Sequence, residues 1–200
     1  YNWFAFRSLG PEALRQGMTS AFVLPVVLAG PLFFYLTLKL RELAVVNHRL
    51  NDLASYDSLT GCLNRRAFTK LVEERLAESA AGALLVVDAD HFKAVNDGFG
   101  HHKGDEALQL IGKAIRSALR ADDVVGRLGG EEFGVHLPGV DHATAAAVAE
   151  RVRAAVGRMR LTAREREHRL SVSIGCAVYE GPATFRELFF LADQRLYVAK

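Results

Sequence analysis

The stretch GALLVVDAD, residues 82–90, is a nearly continuous apolar run that ends in two carboxylates. A strand with apolar side chains on both faces has to be covered on both, which puts it at the centre of a sheet with layers packed against it. The rest of the chain has to supply those layers. NRRAFTKLVEERLAES (64–79) reads as a helix with Phe68, Leu71, Val72 and Leu76 on one side, and GDEALQLIGKAIRSALR (104–120) as a second. DVVGRL (123–128) and EFGVHL (132–137) form a hairpin. DHATAAAVAERVRAAVGRM (141–159) is a third helix, HRLSVSIGCAVYE (168–180) a strand and LFFLADQRLYVAK (188–200) a last helix. The order α β α β β α β α, with an antiparallel hairpin beside a central strand, predicts an α+β sandwich of the ferredoxin-like or polymerase-palm kind.

The hairpin poses a chemical question. RLGGEEFGVHL (127–137) places two like charges at a tip whose flanks belong in a core. A tight turn requires glycine for its tolerance of positive φ, but it does not require glutamates. In a palm-like sheet the tip lies beside the end of the central strand, so Asp88 and Glu131 could converge on one site. Two carboxylates from two elements suit a hard divalent cation, with water and phosphate oxygens completing its shell. The alternative is a strand-end cap at Asp88 and a solvated turn charge at Glu131. HFKAVNDGFGHHKGDEAL (91–108) offers Lys93 as a point charge for phosphate, and Asn96 and Asp105 as partners for a guanine edge. Its alternative reading is a polar loop with a helix N-cap at Asp105. His101 and His102 are sequence neighbours, which rarely face one ion, so zinc is not expected. No GxxxxGK[ST] stretch exists, which excludes a P-loop.

Half of the 200 residues are apolar and the formal charge is +2. A near-balanced chain has no general nucleic-acid surface, so no nucleic-acid partner is expected and an anionic ligand must be met by a local basic cluster. Cys62 and Cys176 lie in apolar settings without metal-ligand spacing and fit packing roles in a reducing compartment. Between Arg15 and Lys39 there is no charged residue, and TSAFVLPVVLAGPLFFYLTL (19–38) predicts a transmembrane helix despite Pro25 and Pro31. Lys39, Arg41, His48 and Arg49 on its C-terminal side favour a cytoplasmic placement of the residues after the span. Residues 39–55 form a helical linker with Leu43, Val46, Leu50 and Leu53 at three-four spacing, a possible short coiled-coil seam between two chains. The expected organisation is therefore the end of an N-terminal region (1–18), a membrane span (19–38), a short signalling helix (39–55) and one domain (56–200). The chain opens on Tyr1 and stops at Lys200 inside a helical pattern, and reads as clipped at both ends.

Taken together, DSLTGCLNRRAF (57–68), DADHFKAVNDGFGHHKGD (88–105), RLGGEEF (127–133), SVSIGCA (171–177) and ADQRLYVAK (192–200) resemble the GGDEF family of diguanylate cyclases, in its GGEEF variant. The resemblance covers about Tyr56 to Lys200. It implies an enzyme that joins two GTP into cyclic di-GMP and releases two pyrophosphates, at a site shared by two chains of a homodimer. It implies Mg²⁺ or Mn²⁺, two per active site, bound by Asp88, the backbone carbonyl of Ala89 and Glu131. Glu131 and Glu132 match its catalytic positions. Phe92, Lys93, Asn96, His101, Asp105 and Lys200 match substrate positions, and the family's next basic residue would lie beyond Lys200. Arg120 and Asp123, in RADD (120–123), match an allosteric site where cyclic di-GMP inhibits its own synthesis. The expected location is the inner membrane, with the catalytic domain cytoplasmic. A receptor that binds cyclic di-GMP without making it is the competing expectation.

Overall fold

The computed structural model describes residues 10–53, 55–163 and 166–200. The side chains of residues 13, 14, 20, 22, 24–26, 28, 44–53, 163 and 166 lie outside that description. The chain divides into two units, Tyr1–Leu53 and Ala54–Lys200.

In the first unit a single helix, α1, runs Pro11–Leu53 through both prolines. Met18, Leu32, Phe33, Phe34, Leu38 and Leu43 are exposed along it. The membrane span expected at 19–38 is not supported: among the described residues no helix is long and apolar enough to cross a membrane. Within that run the side chains of residues 20, 22, 24–26 and 28 lie outside the described set. Of the expected seam, Val46, Leu50 and Leu53 also fall outside it.

The second unit is built on a five-stranded mixed sheet, in the order β1-β3-β4-β2-β7. Its strands are β1 (Leu63–Asn64), β2 (Ala81–Ala89), β3 (Val124–Gly129), β4 (Glu132–Pro138) and β7 (Val172–Glu180). The apolar run is the strand β2, paired antiparallel with β4 on one side and β7 on the other, and buried from Gly82 to Ala89. Its side chains alternate between two cores, as the two-residue period of a strand requires. Ala83, Leu85, Val87 and Ala89 join a core with α4 (His101–Ser117) and α5 (His142–Gly157), whereas Leu84 and Val86 join one with α2 (Arg65–Glu78) and α6 (Phe185–Ala199). Buried side chains such as Leu85, Phe133 and Ile111 each contribute roughly 1.5–3 kcal/mol from removal of apolar surface from water. The helices begin where the sequence offers caps: Asn64 accepts from the Ala67 amide, and Thr184 and Glu187 form a reciprocal capping box.

Three expectations need correction. Residues 91–103 are not a polar loop: α3 (Phe92–Phe99) precedes α4, and the two helices meet at Gly100. Asp105 is therefore not an N-cap, because α4 already begins at His101. That helix also ends at Ser117, so Arg120–Asp123 is a turn leading into β3 and not a helix end. Beyond the expected order lies a small hairpin of β5 (Arg160–Ala163) and β6 (Arg166–Arg169), in which Arg160 stands opposite Arg169.

Candidate functional site

Even-numbered residues of β2 face α2 and α6, so Asp88, at the strand's end, is directed to that layer. Across the ladder it pairs with Glu132, the first residue of β4. Glu131 is placed differently: with Gly130 it forms the two-residue turn joining β3 to β4, and its carbonyl accepts from the Ala89 amide at 3.3 Å. Gly130 has φ 50°, which a side chain at that position would resist. The two glutamates at the tip thus have separate stations, one in the turn and one in the sheet.

The electrostatics of this end of the sheet are those of crowded carboxylates. Burial, then the charges of Asp88 and Asp193, raise the carboxyl pKa of Glu132, against the opposing pull of Arg65 and Lys200. Lys200, at the end of α6, brings its Nζ to 2.8 Å from Asp88 Oδ1. Its ammonium pKa is raised, by that contact first and against burial, which comes second and lowers it, with the charges of Asp88, Glu131 and Asp90 adding to the rise. Asp88 Oδ1 is buried and its partner in the structure is that ammonium, an ion pair rather than an aligned hydrogen bond. A buried carboxylate is costly unless a cation meets it, and here Lys200 does so.

These residues fit a divalent cation. Asp88 presents a buried carboxylate, a like charge stands opposite it at Glu132, and its cationic partner is the ammonium of Lys200. Among the described residues no group of three or more His, Cys, Asp or Glu could hold a metal ion. The protein would therefore supply only part of the shell, as Mg²⁺ bound with nucleotide phosphates requires.

The other expected site residues fall into two places. Asn96 on α3 and Asp105 on α4 are brought together at the junction of these helices. A Cβ at Gly104 would stand 1.9 Å from Asn96 Oδ1, so the amide has its position because residue 104 lacks a side chain. Lys93, His101 and Asp105 are exposed and Phe92 is half-buried. Arg120 and Asp123 lie at the opposite end of β3 from the tip, roughly 20 Å away at ~3.3 Å per residue. There Asp123 Oδ2 accepts from the Arg120 amide at 2.8 Å, and the Asp123 side chain is only 2% exposed. Asp57 and Arg127 were absent from the expected set. The Arg127 guanidinium donates to the Gly130 carbonyl from Nε at 3.0 Å and Nη2 at 2.7 Å, and pairs with Asp57 through Nη1. No spacing rule could have found a pair separated by seventy positions.

The family model described as "Diguanylate cyclase, GGDEF domain" matches residues 54–200, and the chain belongs to that family. Diguanylate cyclase DgcM of Escherichia coli K12 is 39% identical over 159 residues, which are 78% of this chain and 38% of that protein. The chain thus spans well under half the length of this curated relative. Among solved structures, the GGDEF domain of DgcB from Caulobacter crescentus, in complex with c-di-GMP, has a TM-score of 0.69 at 30% identity and covers 72% of this chain and 89% of that one. Diguanylate cyclase SiaD of Pseudomonas aeruginosa, in complex with its activator SiaC, has a TM-score of 0.70 at 28% identity and covers 94% and 78%.

Proposed function

We propose that this chain carries the catalytic domain of a diguanylate cyclase, condensing two GTP into cyclic di-GMP with release of two pyrophosphates. The observation that carries the reading is the meeting of the buried Asp88 carboxylate, with Glu132 opposite it, and the Glu131 turn at one end of the sheet. Asp88, the Ala89 carbonyl and Glu131 would hold Mg²⁺ or Mn²⁺, two per active site. When bound, such an ion lowers the pKa of the attacking 3′-hydroxyl and neutralises charge on the α-phosphate. Glu131, half-exposed in its turn, can take the hydroxyl proton, with Glu132 beside it. Lys200 can leave Asp88 for a phosphate, and Lys93 and the backbone at Phe92 meet phosphates from α3. Asn96 and Asp105 read the guanine edge, and His101 borders the base from the start of α4.

One domain holds one GTP, so two chains must face each other for each 3′-oxygen to reach the other's α-phosphate. Arg120 and Asp123 form a separate product site, where cyclic di-GMP would displace Arg120 from its turn and expose Asp123. The test is GTP with Mg²⁺ over a range of protein concentrations, with and without added cyclic di-GMP. The expected result is product whose rate per chain rises with concentration and falls with added cyclic di-GMP. In Arg120→Ala the inhibition should weaken roughly tenfold to a hundredfold, the scale of a lost charged hydrogen bond, while initial turnover stays. Absence of cyclic di-GMP from a dimeric preparation would favour the receptor reading.

Anchoring at the inner membrane, with the catalytic domain cytoplasmic, is part of the same proposal. It is supported by the uncharged run between Arg15 and Lys39 and by the exposed apolar side chains of α1, Leu32, Phe33 and Phe34 among them. The chain should stay with the membrane pellet through alkaline extraction, and its release into the supernatant would remove the anchor.

A further inference from the structure

The contacts of Arg127 form one continuous brace between two remote parts of the chain. Asp57 lies shortly after the last residue of α1, in a loop closed by its own backbone: the Asp57 amide donates to Cys62 O at 2.8 Å, and the Gly61 amide donates to Asp57 O at 2.9 Å. The Asp57 carboxylate accepts from the Thr60 amide at 2.9 Å and from Thr60 Oγ1 at 2.7 Å. The same carboxylate takes Nη1 of Arg127 at 3.2 and 3.3 Å on its two oxygens. Nε and Nη2 of that guanidinium both donate to the carbonyl of Gly130, the residue before Glu131. Burial alone would raise the Asp57 carboxyl, but the Thr60 donors and the Arg127 charge more than offset it and hold the group below its ordinary value. It remains an anion. Every edge of the guanidinium fork is therefore committed, and the side chain is only 17% exposed.

The geometry points to Asp57 and Arg127 as positioning residues that fix the Gly130 peptide, and through it the station of Glu131, for metal binding. They touch neither substrate nor metal in the proposed reaction, on which this inference rests. The turn needs such help for a local reason. It sits where the register of β3 against β4 slips between Arg127 and Gly129, so the regular ladder does not hold it. A planar fork can grip one carbonyl with two N–H groups and still reach a carboxylate, whereas an ammonium has no such fixed fork. Because the brace begins in the segment that leaves α1, a displacement of that segment would reach the metal station through one side chain.

The test compares wild type with Asp57→Asn and Arg127→Lys in the full chain. Asparagine keeps the shape of Asp57 and can still accept from Thr60, so it removes the charge without opening the loop. Four readouts are used: thermal melting, Mn²⁺ affinity in the presence of 3′-deoxy-GTP, which lacks the attacking hydroxyl, amide exchange over residues 129–132, and kcat and KM for GTP. Asp57→Asn should melt like wild type, bind Mn²⁺ about tenfold more weakly, exchange faster across the turn and lose kcat more than KM. Arg127→Lys should show the same losses despite its conserved charge; if it does not fold, Asp57→Asn decides alone. Wild-type Mn²⁺ affinity and exchange in the folded variants would overturn the positioning role. If the variants weaken Mn²⁺ binding but wild type itself makes no cyclic di-GMP, the positioning role stands and the synthetic reaction falls.

Discussion

Glu131→Gln should leave a folded domain that makes almost no cyclic di-GMP. The residue stands in a two-residue turn and is half-exposed, so it fills no core. Its replacement by an amide of the same shape should move stability by no more than about 0.5 kcal/mol, as is usual for surface positions. The chemical effect is of another order. In the proposed reaction the substitution removes one of the carboxylates that would hold the metal and the group that would take the 3′-proton. Loss of even an outer partner of a metal ligand costs about tenfold to a hundredfold, so loss of the ligand should lower kcat by more than about a hundredfold. The measurement is cyclic di-GMP formation from GTP at saturating Mg²⁺, alongside a melting curve. A folded variant with near-normal turnover would show that the turn carboxylate is ornamental and that the chemistry lies elsewhere.

The second large effect should come from a glycine outside the candidate site. Gly175 lies in β7, and a Cβ there would stand 1.9 Å from Ala192 O, 2.5 Å from Leu196 N and 2.8 Å from Leu196 Cβ. Two of these atoms belong to the backbone of α6, so no side-chain rotation can relieve the clash. The helix has to move. Gly175→Ala should cost about 1–3 kcal/mol by overpacking, read as a lowered urea midpoint. It should also lower kcat/KM for GTP, because Lys200 rides on the end of the displaced helix. An unchanged midpoint would mean that α6 is not held against β7 as closely as the structure has it.

How far the sequence disclosed this arrangement differs from element to element. The strand β2 was legible because its apolar run has no helical period and ends abruptly in charge. The hairpin was legible because glycine at a turn has a steric reason. The helix α3 was not, since FKAVNDGF carries a glycine and a single buried residue, Val95, and takes its place beside α4 rather than from propensity. The arginine-rich β5–β6 hairpin has only Leu161 and Ala163 alternating in β5 and no apolar residue in β6, too short a pattern for a period search to find, although Leu161 joins the core. The run at 19–38 is a different case, a strong hydropathy signal that the described residues of α1 leave unsupported as a span. At the site, residue types were readable from the chemistry they suit, but contacts were not. Neither the ion pair of Lys200 with Asp88 nor the brace from Asp57 to Gly130 could be read from spacing, because each joins elements that only the folded sheet brings together.

The alternation of β2 between two cores has a consequence for how such a domain can diversify. Asp88 and Glu132 look towards the layer of α2 and α6, whereas α3 and α4, with Asn96 and Asp105, belong to the other side of the sheet. In the proposed reaction the carboxylates that would hold the metal and the groups that would read the base thus stand on opposite sides of the sheet, with a buried strand between them. On the proposed assignment, drift at Asn96, Gly104 and Asp105 would change base choice while leaving the carboxylate end untouched, so a lineage could try new nucleotides without first losing the old catalyst.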